Sequence, residues 1–341
     1  MTSPLLTFVV AAYNAEATLQ RTLGSLTTDV DPRAVEVLIV DDGSTDRTAR
    51  IADAYCSVNP NFRLLSQPNQ GLGAVRNRGI ENARGEHVTF CDADDIFLPA
   101  NHLRLIEQMR PERADIGVGL GFSMIESRTI EDFWDNAIVR RLRQIPPDNP
   151  MRGQLKFLLQ PSACTKVFRC DYLRDHDIRF TVGRLFEDVE FTTAALVRTG
   201  RLAYSDLPLF IYDVARSGSI TTNTSTRRLE IFENLGPVIA LANRAGLSGA
   251  QNLCLLTALM RTMLWCLDHV PREMTEAFGL RLLQTVVQFQ LRVNADDRRV
   301  VEPLMRDRWD VRAFDIVKAV WLSDADAPTL IEKLRSVREG G

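Results

Sequence analysis

The sequence predicts an α/β protein, with a mostly parallel sheet covered by helices on both faces and a smaller all-helical region after it. Short apolar or β-branched runs alternate with longer amphipathic runs in the first part of the chain, which is typical of such sheets. From about residue 226 the strand signals stop and helical periodicity dominates. The composition fits a globular protein, since 45% of the 341 residues are hydrophobic, 25% are charged and the net charge is −3.

Four strands are predicted in the first part of the chain. Each is a short apolar or β-branched run between polar or turn residues, and they cover residues 7–11, 35–40, 63–65 and 87–91. Amphipathic helices fit between and after these strands, at residues 15–27, 46–57, 71–84 and 99–110. Ser44 and Thr45 are predicted to be N-caps of the second helix, because their hydroxyls can accept from exposed backbone N–H groups.

The C-terminal part of the chain is predicted to be helical, at residues 228–245, 250–270, 273–294 and 311–338. We expect a domain boundary near residue 225, which gives a domain of residues 1–225 and a helical domain of residues 226–341. The second of these helices carries an apolar face that is too wide for a lone surface helix. Core packing of a small bundle is the preferred interpretation. The alternatives are a homodimer surface and a peripheral membrane contact.

Charge and hydropathy exclude several classes of protein. The chain has no basic block, so a dedicated nucleic-acid binder is excluded. Six cysteines without a Cys-x-x-Cys pair favour a reduced, cytoplasmic protein. The apolar run at residues 5–12 lacks the preceding positive charge of a signal peptide and is predicted to be a strand. The apolar run at residues 253–270 contains Arg261 and Asp268, which argues against a membrane span.

Three polar motifs each follow a predicted strand. They are Ala12-Tyr13-Asn14 after the first strand, Asp41-Asp42-Gly43-Ser44-Thr45-Asp46 after the second and Asp92-Ala93-Asp94-Asp95 after the fourth. Any one of them is ordinary turn chemistry. Because the carboxyl ends of parallel strands form the ligand crevice of an open α/β sheet, we expect the three to meet at one edge.

The acidic motif at residues 92–95 favours a metal site. Closely spaced carboxylates repel one another unless a cation lies among them, and hard oxygen ligands suit Mg²⁺ or Mn²⁺. Such a metal completes its coordination with water and substrate phosphates, which predicts a diphosphate-bearing substrate. The structural alternative is an acidic loop that precedes the helix beginning at Pro99.

These motifs closely resemble the start of the family 2 glycosyltransferases, of the bacterial inverting type, which have the GT-A (Rossmann-like) fold. The resemblance is carried by residues 8–16, 37–46, 69–79 and 83–95, in that order. It continues more loosely through residues 164–168, 186–191, 208–212 and 216–220, so that it covers about residues 5–222.

The resemblance implies a role for each matching position. The donor nucleotide site would comprise Ala11, Tyr13, Asp41, Arg76 and Asp92, with Tyr13 against the base and Asp41 on its ring edge. Asp94 would be the direct metal ligand, together with the diphosphate and water. Asp188 would be the general base that takes a proton from the acceptor hydroxyl. Contacts to the acceptor or the phosphates would come from Lys166, Glu187 and Arg216.

The residues themselves leave structural interpretations open. Tyr13 also fits a core aromatic at a strand end, and Arg76 fits a residue that caps the sheet edge. The Glu187-Asp188 pair also fits the acidic first turn of a helix. Lys166 fits a snorkelling surface lysine, and Arg216 fits a linker residue.

The function predicted from the sequence is therefore an inverting, metal-dependent glycosyltransferase. It would move a sugar from a nucleotide diphosphate donor, uridine-based, to a saccharide or lipid-linked saccharide. The resemblance to the family implies a context in bacterial surface polysaccharide synthesis. The expected location is the cytoplasm or the inner face of the membrane. The alternatives are a non-catalytic nucleotide-sugar-binding or scaffold protein on the same fold, and a sugar nucleotidyltransferase.

Overall fold

The computed structural model describes residues 3–125, 129–213 and 224–288. The chain forms two compact units. The first comprises residues 1–144 and 162–216, and the second comprises residues 145–161 and 217–341. The predicted boundary near residue 225 stays a prediction, but the transfer of residues 145–161 to the second unit was not expected from the sequence.

The first unit is built on a nine-stranded sheet in the order β3-β2-β1-β4-β8-β6-β9-β5, with β7 paired to β6. The strands are β1 Leu6–Ala12, β2 Val35–Asp41, β3 Phe62–Ser66, β4 His87–Asp92, β5 Ile96–Phe97, β6 Ile116–Ile125, β7 Thr129–Asp132, β8 Lys166–Arg169 and β9 Leu202–Asp213. The helices are α1 Leu19–Ser25, α2 Thr48–Val58, α3 Leu72–Asn82, α4 Pro99–Glu112, α5 Asn136–Gln144, α7 Cys170–Asp175 and α8 Glu187–Arg198.

The four predicted strands are confirmed and form the parallel half of the sheet. β1 lies between β2 and β4, and β2 pairs with β3, in each case in parallel register. β1, β2 and β4 are almost fully buried, because helices cover both faces of a parallel sheet, whereas the edge strand β3 is partly exposed. The four helices predicted between and after them also form, with ends displaced by a few residues.

The other half of the sheet is mixed. β8 runs antiparallel to both β4 and β6, and β9 then runs parallel to β6. Because β8 is antiparallel to both of its neighbours, β4 and β6 run in the same direction. The carboxyl ends of β4 and β6 and the first residue of β8, Lys166, therefore lie at the same edge of the sheet.

The predicted caps of α2 are wrong. The residue before this helix is Arg47, whose side chain makes no capping hydrogen bond, and the N–H of Thr48 donates to the carboxylate of Asp46 at 2.9 Å. The hydroxyl of Ser44 instead accepts from the backbone N–H of Asn14 at 3.0 Å, and the N–H of Thr45 donates to the side-chain oxygen of Asn14 at 2.9 Å. Ser44 and Thr45 therefore join the loop after β2 to the loop after β1. Because their polar atoms are engaged in these hydrogen bonds, they do not cap the helix.

Helix α3 lies unusually close to the loop that leads into α8. A Cβ atom added at Gly73 would be 2.0 Å from the carbonyl oxygen of Thr181. The side chain of Asn77 donates to the carbonyl of Phe180 at 2.9 Å and accepts from its N–H at 2.8 Å. Helix α3 thereby fixes the backbone just before the Glu187-Asp188 pair.

Replacing Gly73 with Ala is expected to destabilise the protein by about 1–3 kcal/mol, because the added methyl group must displace backbone rather than a flexible side chain. The measurement is chemical denaturation followed by circular dichroism. Gly200→Ala is the matched control, since nothing lies within 4 Å of a Cβ atom at that position. Equal stability of the two variants would contradict the close approach of α3 to this loop.

The described part of the second unit is helical. It contains α6 Pro150–Leu155, α9 Ile231–Arg244, α10 Gly249–Asp268 and α11 Thr275–Gln288, with short 3-10 turns at Lys156–Leu158, Thr226–Glu230 and Arg272–Met274. A capping box between Ser248 and Gln251 begins α10. The predicted helix at residues 311–338 lies outside the described residues.

The apolar face of α10 is buried, which confirms the preferred interpretation as core packing. Its members are all at most 1% exposed: Leu253, Leu256, Leu259, Met260, Met263, Leu264 and Leu267. The buried guanidinium of Arg261 donates to the carbonyl of Leu158, and Gln160 donates to Thr262 at 2.9 Å, so residues 145–161 pack directly on α10. Among the residues that the structure describes, no helix is both long and apolar enough to cross a membrane.

Candidate active site

The three predicted motifs meet at one edge of the sheet. In the strand register Ala12 lies opposite Asp41, and Ala11 lies opposite Asp92. Tyr13 follows directly, and half of its side chain is exposed. That exposure is inconsistent with a core aromatic and leaves the ring available for a planar ligand.

The two adjacent aspartates after β2 have different surroundings. The carboxylate of Asp42 accepts from the side chain of Gln67 and from the backbone N–H groups of Gln70 and Gly71, at 2.7–3.0 Å. It therefore holds the start of α3. Asp41 is also buried, and its Oδ1 accepts from the N–H of Ser44 at 3.3 Å. Its place beside Tyr13 agrees with the predicted contact to a base, which stays a prediction.

The acidic motif after β4 concentrates negative charge. Asp92 and Asp94 are partly exposed, whereas Asp95 is 1% exposed. Burial and the nearby charges of Asp92 and Asp94 raise the pKa of Asp95 well above its ordinary value. Within the described ranges, no three His, Cys, Asp or Glu side chains converge as a ready-made metal site.

Arg21 holds the backbone of this acidic motif. Its guanidinium donates to the carbonyl oxygen of Asp94 at 2.6 Å and forms an ion pair with Asp213 at 2.6 Å. The hydroxyl of Thr22 donates to the carbonyl of Asp95 at 2.8 Å. Sequence reasoning missed Arg21, because its partners lie far along the chain and no local pattern marks them.

Arg76 lies beneath the edge of the sheet, with only 4% of its side chain exposed. Its guanidinium donates to Asp92 at 2.8 Å and to Glu187 at 2.6 Å, and it stands over the ring of Phe180 at 5.4 Å. Burial disfavours its charge, but the carboxylates of Asp92 and Glu187 outweigh burial and raise the pKa of Arg76. Arg76 thus joins the end of β4 to the start of α8, and its predicted contact with the nucleotide stays a prediction.

Glu187 and Asp188 form the first turn of α8. Glu187 is 7% exposed, and burial raises its pKa although Arg76 opposes the shift. Asp188 is more accessible. Poor solvation of its carboxylate, followed by the charge of Glu187, raises the pKa of Asp188 to about 7, against the opposing charges of Arg76 and Lys166. A carboxylate with this pKa is well matched to proton transfer near neutral pH.

Lys166 is fully buried, so the interpretation as a snorkelling surface lysine is wrong. Its ammonium donates to the carbonyl of Ser162 at 2.6 Å and to the hydroxyl of Thr165 at 3.1 Å. Burial lowers its pKa, while the charges of Asp135 and Asp188 oppose that shift. Its predicted contact with an acceptor or phosphate stays a prediction. Arg216 lies outside the described residues.

Residues 7–173 match the family model described as glycosyl transferase family 2. The chain belongs to this family. This family 2 glycosyltransferase is similar to EpsH of Bacillus subtilis (strain 168), which is named as a candidate glycosyltransferase. The two are 29% identical over 350 residues, which cover 90% of this chain and 100% of EpsH. It is also similar to the succinoglycan biosynthesis protein ExoO of Rhizobium meliloti (strain 1021), at 32% identity over 223 residues, or 64% of this chain and 63% of ExoO.

Solved structures of other glycosyltransferases have the same fold. Residues 1–349 of S. aureus TarS, in complex with UDP-GlcNAc, superpose with a TM-score of 0.72 at 20% identity, covering 98% of this chain and 90% of that one. The mannosyltransferase PcManGT of Pyrobaculum calidifontis, in complex with GDP-Man and Mn²⁺, gives a TM-score of 0.54 at 14% identity, covering 99% and 88%. These likenesses confirm the predicted GT-A fold of this family 2 glycosyltransferase.

Proposed function

We propose that this glycosyltransferase is inverting and metal-dependent, and that it moves a sugar from a uridine diphosphate donor to a hydroxyl of a saccharide or lipid-linked saccharide. One observation carries the proposal. The buried guanidinium of Arg76 connects Asp92, on the donor side of the site, with the Glu187-Asp188 turn on the other side, at 2.8 and 2.6 Å. A donor site and a proton acceptor are therefore held at a fixed spacing by one side chain.

The donor side fits a nucleotide diphosphate. Tyr13 offers an exposed ring for the base, and Asp41 lies beside it. The negative charge around Asp92 and Asp94 fits a divalent cation, with Asp94 as its ligand and the diphosphate and water completing its coordination. When bound, Mn²⁺ or Mg²⁺ would stabilise the negative charge on the departing diphosphate. The complexes of TarS with UDP-GlcNAc and of PcManGT with GDP-Man and Mn²⁺ support this class of donor and metal.

The acceptor side fits general-base catalysis. A sugar hydroxyl is a weak nucleophile, and Asp188 would take its proton as the oxygen attacks the anomeric carbon. The nucleotide diphosphate leaves from the opposite face of the sugar, so the configuration at that carbon inverts. Lys166 and Glu187 are both buried, and their charges act on Asp188 in opposite directions: that of Glu187 raises its pKa and that of Lys166 lowers it.

The cellular role is proposed from the relatives. The similarity to ExoO, a succinoglycan biosynthesis protein, supports a place in the assembly of a bacterial surface polysaccharide. A cytoplasmic protein, at the inner face of the membrane where lipid-linked acceptors are found, fits that role. Peripheral membrane association and a homodimer through the C-terminal helices stay predictions.

The proposed function is tested by screening nucleotide sugars for metal-dependent thermal stabilisation, followed by transfer assays with the donor that stabilises most. We expect a uridine diphosphate sugar to raise the melting temperature in Mn²⁺ or Mg²⁺ and to be hydrolysed slowly without an acceptor. Stabilisation without any hydrolysis or transfer would favour a non-catalytic binding protein instead.

Replacing Asp94 with Ala is expected to abolish the gain that Mn²⁺ gives to UDP affinity, which we estimate at about tenfold or more for the wild-type protein. Isothermal titration calorimetry with and without Mn²⁺ measures it. Asp31→Ala is the matched control, because Asp31 is an exposed carboxylate that pairs only with the nearby Arg33 in the described contacts. An unchanged metal effect in the Asp94 variant would show that this carboxylate is not the ligand.

A further inference from the structure

Trp134 is a large hydrophobic side chain with no evident structural reason to be at the surface. It is 45% exposed, although Phe133 before it packs against the core and Asp135 after it is 1% exposed. Scattered exposed hydrophobic residues are normal in proteins, so exposure alone carries no conclusion. Two further features distinguish Trp134: hydrogen bonds fix the turn that carries it, and this turn lies near the proposed active site.

The turn that carries Trp134 is fixed to β6 at Gly121. The side chain of Asn136, which is buried, accepts from the N–H of Gly121 at 3.1 Å and donates to its carbonyl at 2.7 Å. The N–H of Phe133 also donates to the carbonyl of Gly121, at 3.2 Å. These bonds hold Phe133 and Asn136, on either side of Trp134, against β6.

Glycine at position 121 allows this close docking. An added Cβ atom would lie 2.5 Å from the ring of Phe210 and 3.2 Å from the Cβ atom of Phe133. The ring of Phe133 meets Phe210 edge-on at 5.4 Å, and the indole of Trp134 stacks on Phe133 at 5.9 Å with an interplanar angle of 9°. The indole is therefore supported from below by a packed aromatic layer while part of its surface remains open.

The turn lies at the edge of the sheet where the chemistry is placed. β6 runs in the direction of β4, and Val118 pairs with Lys166 in the register of β6 and β8. Asp135, directly after Trp134, is 1% exposed. Asp135 and Asp188 are both close enough to Lys166 for their charges to act on its ammonium. The residue after Trp134 and the proposed base are thus both near the ammonium of Lys166.

A sugar ring is suited to such a surface. A pyranose has an apolar face of C–H groups and a polar rim of hydroxyls, so it packs on an aromatic ring while its hydroxyls reach polar partners. With a hydroxyl directed to Asp188, the ring that bears it needs an apolar support nearby, and Trp134 is a large, open aromatic side chain on a rigid turn at that edge.

We propose that Trp134 is the stacking platform for the pyranose ring of the acceptor, so that the acceptor terminus is a pyranoside. This inference rests on the proposed function, because it takes Asp188 as the base. Trp134 would set the affinity for the acceptor and leave the affinity for the donor nucleotide unchanged.

The test uses the full chain, saturated with UDP and Mn²⁺. Four methyl pyranosides, the β-glucoside, β-galactoside, 2-acetamido-β-glucoside and α-mannoside, are the probes, and saturation-transfer NMR measures their binding. At least one is expected to bind. Trp134→Ala is expected to weaken it by about threefold to tenfold, as an aromatic stacking contact predicts, and Trp134→Phe to retain most of the binding. Val58→Ala, at another exposed hydrophobic residue, is expected to change nothing.

Two results would overturn the inference: unchanged pyranoside binding by Trp134→Ala, or no pyranoside binding by wild-type protein that binds UDP normally. Octyl glucoside is added to separate the sugar from a lipid chain. If octyl glucoside binds through Trp134 and the methyl glucoside does not, the residue supports the lipid part and the inference fails. If the wild-type protein binds neither UDP nor any nucleotide sugar, the proposed function itself fails, which is a distinguishable outcome. Melting temperatures of all variants confirm that they are folded.

Discussion

Asp188→Asn is expected to lower the rate of sugar transfer by about 10²–10⁴-fold, the range that general-base catalysis contributes. Asparagine has nearly the same shape as aspartate but cannot accept the proton of the acceptor hydroxyl. Since the proposed function places Asp188 on the acceptor side of Arg76, UDP affinity is expected to stay within about twofold of the wild-type value. Initial rates with the donor found in the nucleotide-sugar screen, together with calorimetric UDP binding, measure the two effects.

The pH dependence supplies a second readout of the same residue. As the proposed base, Asp188 would accept a proton only when it is deprotonated, and its pKa is raised to about 7 by poor solvation and by the charge of Glu187. The wild-type rate is therefore expected to rise with pH below about 7 and to level off above it. The residual rate of Asp188→Asn is expected to lack this rise.

Asp177→Asn is the matched control for this prediction, because Asp177 is an exposed carboxylate that pairs with Arg179 at 3.1 Å. It is expected to transfer sugar at the wild-type rate with the wild-type pH profile. Wild-type rates in Asp188→Asn, or the same rise near neutral pH in both, would remove Asp188 from the role of base.

The local patterns of the sequence predicted the parallel half of the sheet and the helices between its strands. Strands such as Val35–Asp41 are mostly apolar, and polar residues at their ends converge because parallel strands share one edge. The predicted edge with Tyr13, Asp41 and Asp92 follows from that geometry alone.

Contacts between distant parts of the chain were not predictable in the same way. Arg76 and Glu187 are 111 positions apart, and Arg21 and Asp213 are 192 positions apart, so no periodic pattern joins either pair. The caps predicted at Ser44 and Thr45 failed for a related reason, because their polar atoms bind Asn14 in another loop. Arg76 was identified by resemblance as a nucleotide contact, and only the structure shows it buried between two carboxylates.

Because Arg76 is buried between two carboxylates, we expect stability to depend on it and, under the proposed function, sugar transfer as well. Arg76→Met leaves Glu187, which is 7% exposed, without its counter-charge, and is expected to cost about 3–5 kcal/mol of unfolding free energy. Chemical denaturation measures this loss. Arg33→Met is the control, since its pair with Asp31 is largely exposed and is expected to contribute about 0–1 kcal/mol.

The double variant Arg76→Met with Glu187→Met separates positioning from stability. Replacing a buried ion pair with apolar residues of similar size is often neutral, so the double variant is expected to recover most of the stability that Arg76→Met loses. Transfer is expected to remain at least about tenfold below wild type, because α8 and Asp188 are no longer tied to Asp92 across the guanidinium. If the double variant regained both stability and wild-type transfer, Arg76 would be a structural residue only. If Arg76 fixes the distance between the donor and the base, the double variant should recover its stability but not its transfer rate.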